Sequence, residues 1–278
     1  MRHRSFAALA LAAVASLGLA ACGGSGSTSS DASGSSSDVV TLNVGATPSP
    51  HAKILNYVND NLAADAGIKI KVVEYTDYVQ PNTALNDGEL DANFYQTVPY
   101  LENAEKQAGY DFEAGAGIHL EPLGVFSQKH KSLDELPNGG TIGIISDTSN
   151  QERALRLLAT QGLVSIPEGE GDVNVNTVTK LKDFSFNEVE GPQLVRSLED
   201  FDFAVINGNF AQEGGLSLSG DALVVESPVD NPAVNVLVWK AGSDKAAAIA
   251  KLEELLHSDQ VKQYIESTWS DGSVIPAF

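Results

Sequence analysis

Stretches typical of strands and of helices alternate along most of the chain. Residues 39–45 alternate apolar and polar side chains, as in a strand buried on one side, whereas 51–66 repeat apolar residues at helical spacing. A second run of this kind begins after residues 136–137. Such alternation predicts an α/β protein with layered, mostly parallel sheets. Because the two runs are separated near 127–140, we expect two lobes.

The N-terminal residues have the layout of a secretory signal. Arg2 and Arg4 precede an apolar stretch, 6–20, which is shorter than the about 20 residues that a membrane-spanning helix needs. The one cysteine of the chain, Cys22, follows in a Leu-Ala-Ala-Cys segment that resembles a bacterial lipobox, in which the cysteine thiol receives a diacylglycerol. We therefore predict a lipoprotein signal peptide over 1–21 and lipidation of Cys22. The alternative is an ordinary cleaved signal peptide that leaves a free thiol.

Residues 22–38 are the predicted lipidated cysteine and its tether. The segment from Gly23 to Asp38 consists mostly of serine and glycine, which bury no apolar surface, so we expect a flexible coil that reaches about 20–25 Å. The two acyl chains of a diacylglyceryl group anchor a protein stably. We therefore expect the body to be held at the cell membrane, on its extracytoplasmic face.

Composition excludes several classes of partner and chemistry. The 278 residues carry a formal charge of −20, which argues against binding to nucleic acid or, by electrostatics, to anionic lipid. A salty habitat is an alternative reason for such acidity. Apolar residues make up 42% of the chain, enough for a real core in a body of about 240 residues. With its one cysteine lipidated, the chain has none for disulfides, catalysis or metal binding.

The sequence has no visible motif for enzyme or metal chemistry. It lacks a G-x-S-x-G elbow, a P-loop and an H-E-x-x-H pair, so we predict neither catalysis nor a cofactor. His119 and Glu121 would lie on one face of a strand, but such a lone pair usually decorates a surface, and we predict no metal site. The segment 172–183 imitates a calcium loop, yet Thr177 stands where that loop needs glycine.

Aromatic and amide side chains are concentrated in two neighbouring segments, 75–82 and 91–100. These segments place Tyr78, Tyr95 and Tyr100 near strand ends and turns, in a chain with only 7% aromatic residues. Each aromatic taken alone could simply cap the core. Their density favours a cleft with aromatic walls.

Polar residues at two other strand ends are further candidates for a binding site. Arg153 lies in the first turns of a predicted helix that follows a strand, where free backbone N–H groups and a guanidinium suit a carboxylate. The alternative is that Arg153 pairs with a neighbouring acid. Asn207 and Asn235 lie at or within predicted strands, and if buried they must find a partner, either backbone or ligand.

Taken in order along the body, several segments resemble the methionine-binding lipoproteins of ABC importers, the NlpA group. The matching segments are Asp77-Tyr78-Val79, Pro81-Asn82, Ala84-Leu85, Leu90 to Asn93, Gln96, Pro99 to Leu101, Lys131 to Leu136, Pro192 to Leu194, Arg196 to Leu198, and Ala204 to Asn207. The resemblance implies a two-lobed periplasmic-binding-protein-like fold of type II, with the ligand cleft between the lobes. We expect the first lobe to comprise 39–126 plus 234–278, and the second 127–233.

The resemblance also implies roles for individual residues. Tyr78, Tyr95 and Tyr100 would line the slot for the thioether side chain. Arg153, with Asn150 nearby, would hold the ligand carboxylate. Asn207 and Asn235 would clasp the amino-acid backbone.

The resemblance implies a substrate-binding lipoprotein, not an enzyme, that delivers L-methionine to an ABC permease and its ATPase subunit. Thr97 is the eighth residue that the resemblance places at the ligand, where methionine-binding members carry histidine; threonine is shorter and uncharged. This difference leaves D-methionine, a methionine-containing dipeptide or another small amino-acid-like solute open as the ligand. An extracytoplasmic enzyme is the more distant alternative.

Overall fold

Two mixed β-sheets organise the described part of the chain, which comprises residues 39–169 and 171–278 of this computed structural model. The predicted signal peptide, Cys22 and the tether fall on residues 1–38 and lie outside the described residues. The strands are β1 (Val40–Ala46), β2 (Ile68–Glu74), β3 (Ala92–Thr97), β4 (Phe112–Leu120), β5 (Gly124–Phe126), β6 (Gly140–Ile145), β7 (Val164–Ser165), β8 (Thr179–Lys180), β9 (Phe184–Val189), β10 (Phe203–Ile206), β11 (Ala222–Val225), β12 (Val234–Lys240) and β13 (Ile275–Pro276).

The first sheet has the order β13-β4-β12-β3-β1-β2 and forms the base of the first lobe. β1 runs parallel to both β2 and β3, whereas β12 is antiparallel to β3 and β4. The chain therefore returns to this lobe through β12 after it has completed the second lobe. This return brings residues near 235 beside the ends of β3 and β4.

The second sheet has the order β11-β5-β10-β6-β9 and forms the base of the second lobe. β6 is parallel to β9 and β10, and β5 is antiparallel to β10 and β11. The chain changes sheets between Leu120 and Gly124, a few residues before the expected lobe boundary at 126–127. The strands β7 and β8 form a small separate pair.

Helices cover both faces of each sheet. They are α1 (Lys53–Asn61), α2 (Gln80–Asn86), α3 (Val98–Ala108), α4 (Thr148–Thr160), α5 (Gly191–Arg196), α6 (Gly208–Glu213), α7 (Ala246–Leu256) and α8 (Asp259–Thr268). In the first lobe, α1, α7 and α8 bury one core, while α2 and α3 bury another. In the second lobe, α4 covers one face, and α5 and α6 cover the other. Within the described residues, no helix combines the length and the apolarity needed to cross a membrane.

The prediction of mostly parallel sheets is wrong, because both sheets are mixed. The antiparallel strands come from chain segments that leave one lobe and return to it, and these long-range pairings leave no local periodicity to read. Strand β4 is also hard to recognise from the sequence. Its residues 114–117 are alternating alanine and glycine, which have low strand propensity.

Candidate functional site

The eight predicted ligand-binding residues line one cavity between the two lobes. They are joined there by His51, Gln96, Glu121, Gly208 and Asn209. Most of these residues follow the carboxyl ends of strands, where ligands bind in open α/β sheets because the side chains of neighbouring strand ends converge. Strands β1 and β3 supply the first lobe's part of the cavity in this way, and β6 and β10 supply the second lobe's part.

Three tyrosines form one end of the cavity. The hydroxyls of Tyr95 and Tyr100 both donate to the main-chain carbonyl of Tyr78, each at 2.9 Å. The three ring centroids lie 5.7–6.0 Å from one another, with tilted or edge-on planes. This spacing is typical of favourable aromatic pairs. The three rings therefore hold one another in place.

The second lobe closes onto this aromatic end through α6. The Tyr78 hydroxyl donates to Oδ1 of Asn209 at 2.5 Å, and the Tyr78 ring lies 4.7 Å from that of Phe210. Burial raises the pKa of the Tyr78, Tyr95 and Tyr100 phenols. All three hydroxyls are therefore neutral at physiological pH and act as hydrogen-bond donors.

Thr97 has a structural role at the point where β3 ends and α3 begins. It is the N-cap of α3, and its Oγ1 accepts a hydrogen bond from the main-chain N–H of Tyr100 at 3.4 Å. A threonine at this position satisfies one of the free N–H groups of the first helical turn. Thr97 thus fixes the start of the helix that carries Tyr100.

Asn150 and Asn207 connect two strand ends of the second lobe. Both are buried, and Nδ2 of Asn207 donates to Oδ1 of Asn150 at 2.8 Å. Asp147, the N-cap of α4, accepts from the main-chain N–H of Asn150 at 2.9 Å and from its side-chain amide. Burial raises the pKa of Asp147 to about 6. These contacts fix the Asn150 side chain in the cavity wall.

Arg153 is paired with an acid, as one of the two interpretations of the sequence expected. Its Nε and Nη2 donate to the two carboxylate oxygens of Glu226 at 2.9 and 2.5 Å, and Nη2 also donates to the main-chain carbonyl of Glu121 at 2.7 Å. The hydrogen bonds of the described residues leave Nη1 without a protein partner. The role of Arg153 in holding a ligand carboxylate stays a prediction, and Nη1 is the group that would fulfil it.

His51, Glu121 and Asn235 complete the cavity wall and form a buried cluster with His119, which does not line the cavity. Glu121 Oε1 lies 2.9 Å from Nε2 of His119 and 3.3 Å from Nε2 of His51. Asn235 contributes Oδ1, 3.0 Å from His51 Nε2, and Nδ2, 3.4 Å from Glu121 Oε1. The expectation that His119 and Glu121 lie on the surface is therefore wrong, since both are buried.

Burial dominates the electrostatics of this cluster. It lowers the pKa of His51 to about 4 and that of His119 to about 3, and it raises the pKa of Glu121 to about 7. Both imidazoles are therefore neutral at physiological pH. One potential ligand atom from each of His51, His119 and Glu121 lies within 4.8 Å of the others, a separation that a metal ion could bridge.

Sequence reasoning missed His51, Glu121 and Asn209 as members of the cavity wall. His51 and Glu121 are far apart in the sequence, and only the pairing of β4 with β12 brings Glu121 beside Asn235. A Cβ atom at Gly208 would lie 2.9 Å from the Cβ of Glu121, so glycine lets α6 approach this residue closely. A signal did exist in His119-Leu120-Glu121, which places two polar side chains on one face of a strand.

Comparison with known proteins gives the same result for sequence and for structure. The protein-family model described as NlpA lipoprotein matches residues 42–278. The methionine-binding lipoprotein MetQ of Bacillus subtilis (strain 168) is 36% identical over 244 residues, which cover 84% of this chain and 86% of the relative.

Solved structures match the fold over the whole body. A crystal structure from Actinomyces odontolyticus ATCC 17982 is similar with a TM-score of 0.85 and 86% identity, covering 87% of this chain and 100% of that one. The structure of a nutrient binding protein from Burkholderia cenocepacia bound to methionine has a TM-score of 0.80 and 35% identity, covering 85% of this chain and 100% of that one.

Proposed function

Because the chain belongs to the NlpA lipoprotein family, we propose that it is an extracytoplasmic substrate-binding lipoprotein that delivers L-methionine to an ABC importer. The observation that carries the proposal is a cavity between two lobes with three tyrosines at one end and opposite charges at the other. Such a cavity suits a zwitterion with a long apolar side chain. The names of the Bacillus and Burkholderia proteins support methionine as that ligand.

The methionine thioether lies among Tyr78, Tyr95 and Tyr100 in this proposal. A sulfur atom near the edge of an aromatic ring gains about 0.3–1.5 kcal/mol per contact. The tyrosine hydroxyls are already bonded to protein groups, so the rings present their apolar surfaces to the ligand. An unbranched side chain of this length therefore meets no unsatisfied phenol hydroxyl at the aromatic end.

The ligand carboxylate binds Nη1 of Arg153, beside Asn150. Asn207 and Asn235 hold the amino-acid backbone from opposite lobes, so that ligand binding joins the lobes. A zwitterion removed from water needs charge-assisted partners, and Nη1 of Arg153 is the one that this assignment gives to the carboxylate. Closure of the lobes about a hinge then buries the ligand.

The body is tethered to the membrane through lipid on Cys22 and works with partner subunits. An ABC permease receives the ligand, and its ATPase subunit hydrolyses ATP. The chain itself then needs no catalytic group. Loss of membrane association in a Cys22→Ser variant would support the anchor, and an unchanged membrane fraction would refute it.

Titration calorimetry on the purified protein tests the ligand. We expect one L-methionine per chain, recovered unchanged, and weaker binding of norleucine, which has the same length but no sulfur. Absence of heat with every form of methionine would contradict the proposal. Chemical conversion of the ligand would indicate an enzyme instead.

A larger or differently shaped methionine derivative is the second candidate ligand. A groove of about 840 Å³ between α3 and α4 shares Thr97, Asn150 and Arg153 with the cavity. Thr97 leaves more room there than the histidine of the methionine-binding relatives described above. Competition between L-methionine, D-methionine and methionine-containing dipeptides in the same calorimetric assay would decide the preference.

A further inference from the structure

Glu121 is an acid of the cavity wall that the methionine assignment above does not use. It follows β4 directly, and it is buried, with 6% of its surface exposed. Its two carboxylate oxygens differ in environment. Oε1 has the imidazoles of His51 and His119 and the amide of Asn235 around it. Oε2 lies beside the start of α6 and makes no hydrogen bond within the described residues, although the nearby main-chain N–H of Asn209 lowers the pKa of the carboxyl.

The hydrogen-bond donors around Oε1 fix the position of the Glu121 carboxylate. A carboxylate oxygen only accepts hydrogen bonds, so Nε2 of His119, 2.9 Å from Oε1, must carry the proton. Nε2 of His51 must carry a proton as well, because its hydrogen-bond partner is Oδ1 of Asn235 at 3.0 Å, and Nδ2 of the same amide lies 3.4 Å from Oε1. For His51 this tautomer also fits the other ring nitrogen, Nδ1, which then accepts from the hydroxyl of Thr47 at 2.6 Å. The cluster therefore fixes the Glu121 side chain in one orientation.

The charge of Glu121 has no cationic partner in this cluster. His51 and His119 are both neutral at physiological pH. Arg153 directs its guanidinium to Glu226 and reaches only the main-chain carbonyl of Glu121. The positive charge of Arg153 acts on Glu121 from nearby but is paired with Glu226, so the buried Glu121 carboxylate is complementary to a further cation, which a zwitterionic amino acid supplies as its ammonium group.

We propose that Glu121 binds the ammonium group of the ligand through Oε2, and that His119 directly and His51 through Asn235 are positioning residues that hold Oε1. The inference rests on the proposed function and names one more determinant of its specificity. Arg153 and Glu121 then contact opposite ends of the zwitterion. The cleft selects an α-amino acid over the corresponding deaminated acid.

A metal ion bound by His51, His119 and Glu121 is the alternative role of the cluster. A metal would take the lone pair of His119 Nε2, so the proton of that ring would move to Nδ1. Metal-ligating histidines almost always donate their second N–H to an acceptor. His119 Nδ1 is buried and has no such acceptor within the described residues. A lone pair left unpaired there is tolerated better than an N–H, which favours the metal-free arrangement.

Calorimetry on the purified full-length protein with two ligands tests the proposal. The ligands are L-methionine and 4-(methylsulfanyl)butanoate, which lacks the ammonium group. We expect the wild type to bind the deaminated acid about 10- to 100-fold more weakly, the usual range for a charge-assisted hydrogen bond. Glu121→Gln should weaken L-methionine binding by a similar factor and leave the deaminated acid within about twofold.

Glu266→Gln is the matched control, because it removes the same charge from an exposed position on α8, away from the cavity and the groove. It should bind both ligands as the wild type does. Wild-type protein that binds both ligands equally well overturns the proposal without any variant, as does Glu121→Gln protein with unchanged L-methionine affinity. Wild-type protein that binds neither ligand would instead refute the proposed function.

Two variants of His119 test the positioning role. His119→Gln retains an N–H that can reach Oε1 and should retain the preference for L-methionine over the deaminated acid. His119→Phe should lose that preference, while its affinity for the deaminated acid stays within about twofold. Equal weakening of both ligands would show a merely structural role. One zinc ion per chain, with L-methionine binding lost on chelation, would replace the proposal with a metal site.

Discussion

The two ends of the cavity differ in whether their buried polar groups already have hydrogen-bond partners in the protein. At the aromatic end, formed by Tyr78, Tyr95 and Tyr100, every phenol donates to a protein group. At the polar end, formed by Glu121 and Arg153, one atom of each charged group lacks a protein partner within the described residues. The phenols of the aromatic end therefore have hydrogen-bond partners without a ligand, whereas the charged groups of the polar end have atoms that a ligand could bind.

Because of this difference, the aromatic end recognises the shape of the ligand side chain, and the polar end recognises the charged groups of the ligand. Rings that support one another keep the slot open in one geometry, so an apolar side chain enters it at little conformational cost. The unpartnered atoms of Glu121 and Arg153 at the polar end penalise any ligand that lacks a complementary group, because a buried polar atom without a partner is costly. We therefore expect changes at the polar end to reduce affinity more than changes at the aromatic end.

Arg153→Ala should have the largest effect on binding. It removes the cation at the carboxylate end of the ligand, and truncating one partner of a buried charge pair costs about 2–5 kcal/mol, which is about 30-fold or more in affinity. Arg153→Lys keeps the charge but loses the planar fork, so an intermediate loss is expected. Calorimetry measures both, with circular dichroism as the control for folding. Unchanged affinity in Arg153→Ala would refute its role.

Tyr78→Ala should weaken L-methionine binding by about 10- to 100-fold, through the loss of a wall and of sulfur–ring contacts. Tyr78→Phe keeps the ring and loses only the bond to Asn209, so its affinity should fall by less. The ratio of the two losses, measured by calorimetry, separates the ring from the hydroxyl. Equal losses would mean that the hydroxyl, not the ring, contributes the affinity.

The pH dependence of binding should reflect Glu121. Its pKa in the free protein is raised to about 7 by burial, and only its ionised form attracts an ammonium group. Apparent affinity for L-methionine should therefore fall about tenfold as the pH is lowered from 8 to 6. The titratable or charged groups that face Glu121 are His51, His119, Tyr78, Arg153 and Glu213.

The Glu121→Gln variant separates Glu121 from other acids that titrate in this range. Asp147 has a pKa of about 6 and Glu213 one of about 7, both raised by burial. Calorimetric titrations of wild type and variant at pH 6, 7 and 8 should therefore diverge as the pH rises. Parallel pH profiles would assign the dependence to the other acids.

Thr97→Ala should have the smallest effect on affinity and a measurable effect on stability. It removes the N-cap of α3, which costs about 0.5–2 kcal/mol, and the long 3.4 Å contact favours the lower part of that range. Thr97→Ser keeps the cap and should retain the stability. Thermal unfolding of both variants without ligand measures the difference. A large loss of methionine affinity in Thr97→Ala would show that Thr97 contacts the ligand directly.

The sequence was informative about the aromatic end and less so about the polar end. Tyr78, Tyr95 and Tyr100 lie in two segments that are close together in the sequence. The high density of aromatic residues in these segments therefore indicated them.

At the polar end, Arg153 pairs with Glu226, 73 residues away. Glu121 meets Asn235, 114 residues away, although its other partner His119 is two residues away. A local sequence pattern does not indicate which distant acid an arginine will pair with.

The histidine cluster was missed for a related reason. His51 follows β1 and His119 lies within β4, at opposite sides of the first sheet's centre. The two histidines meet although β12 and β3 lie between these strands. The alternation of strands and helices along the chain does not predict this strand order. The alternation did predict two α/β lobes, because that property depends on local periodicity alone.

A crystal structure of the protein with L-methionine tests the contrast between the two ends most directly. We predict the sulfur among the rings of Tyr78, Tyr95 and Tyr100, the carboxylate on Nη1 of Arg153, and the ammonium within about 3 Å of Oε2 of Glu121. A reversed ligand, or one bound in the groove between α3 and α4, would contradict the account.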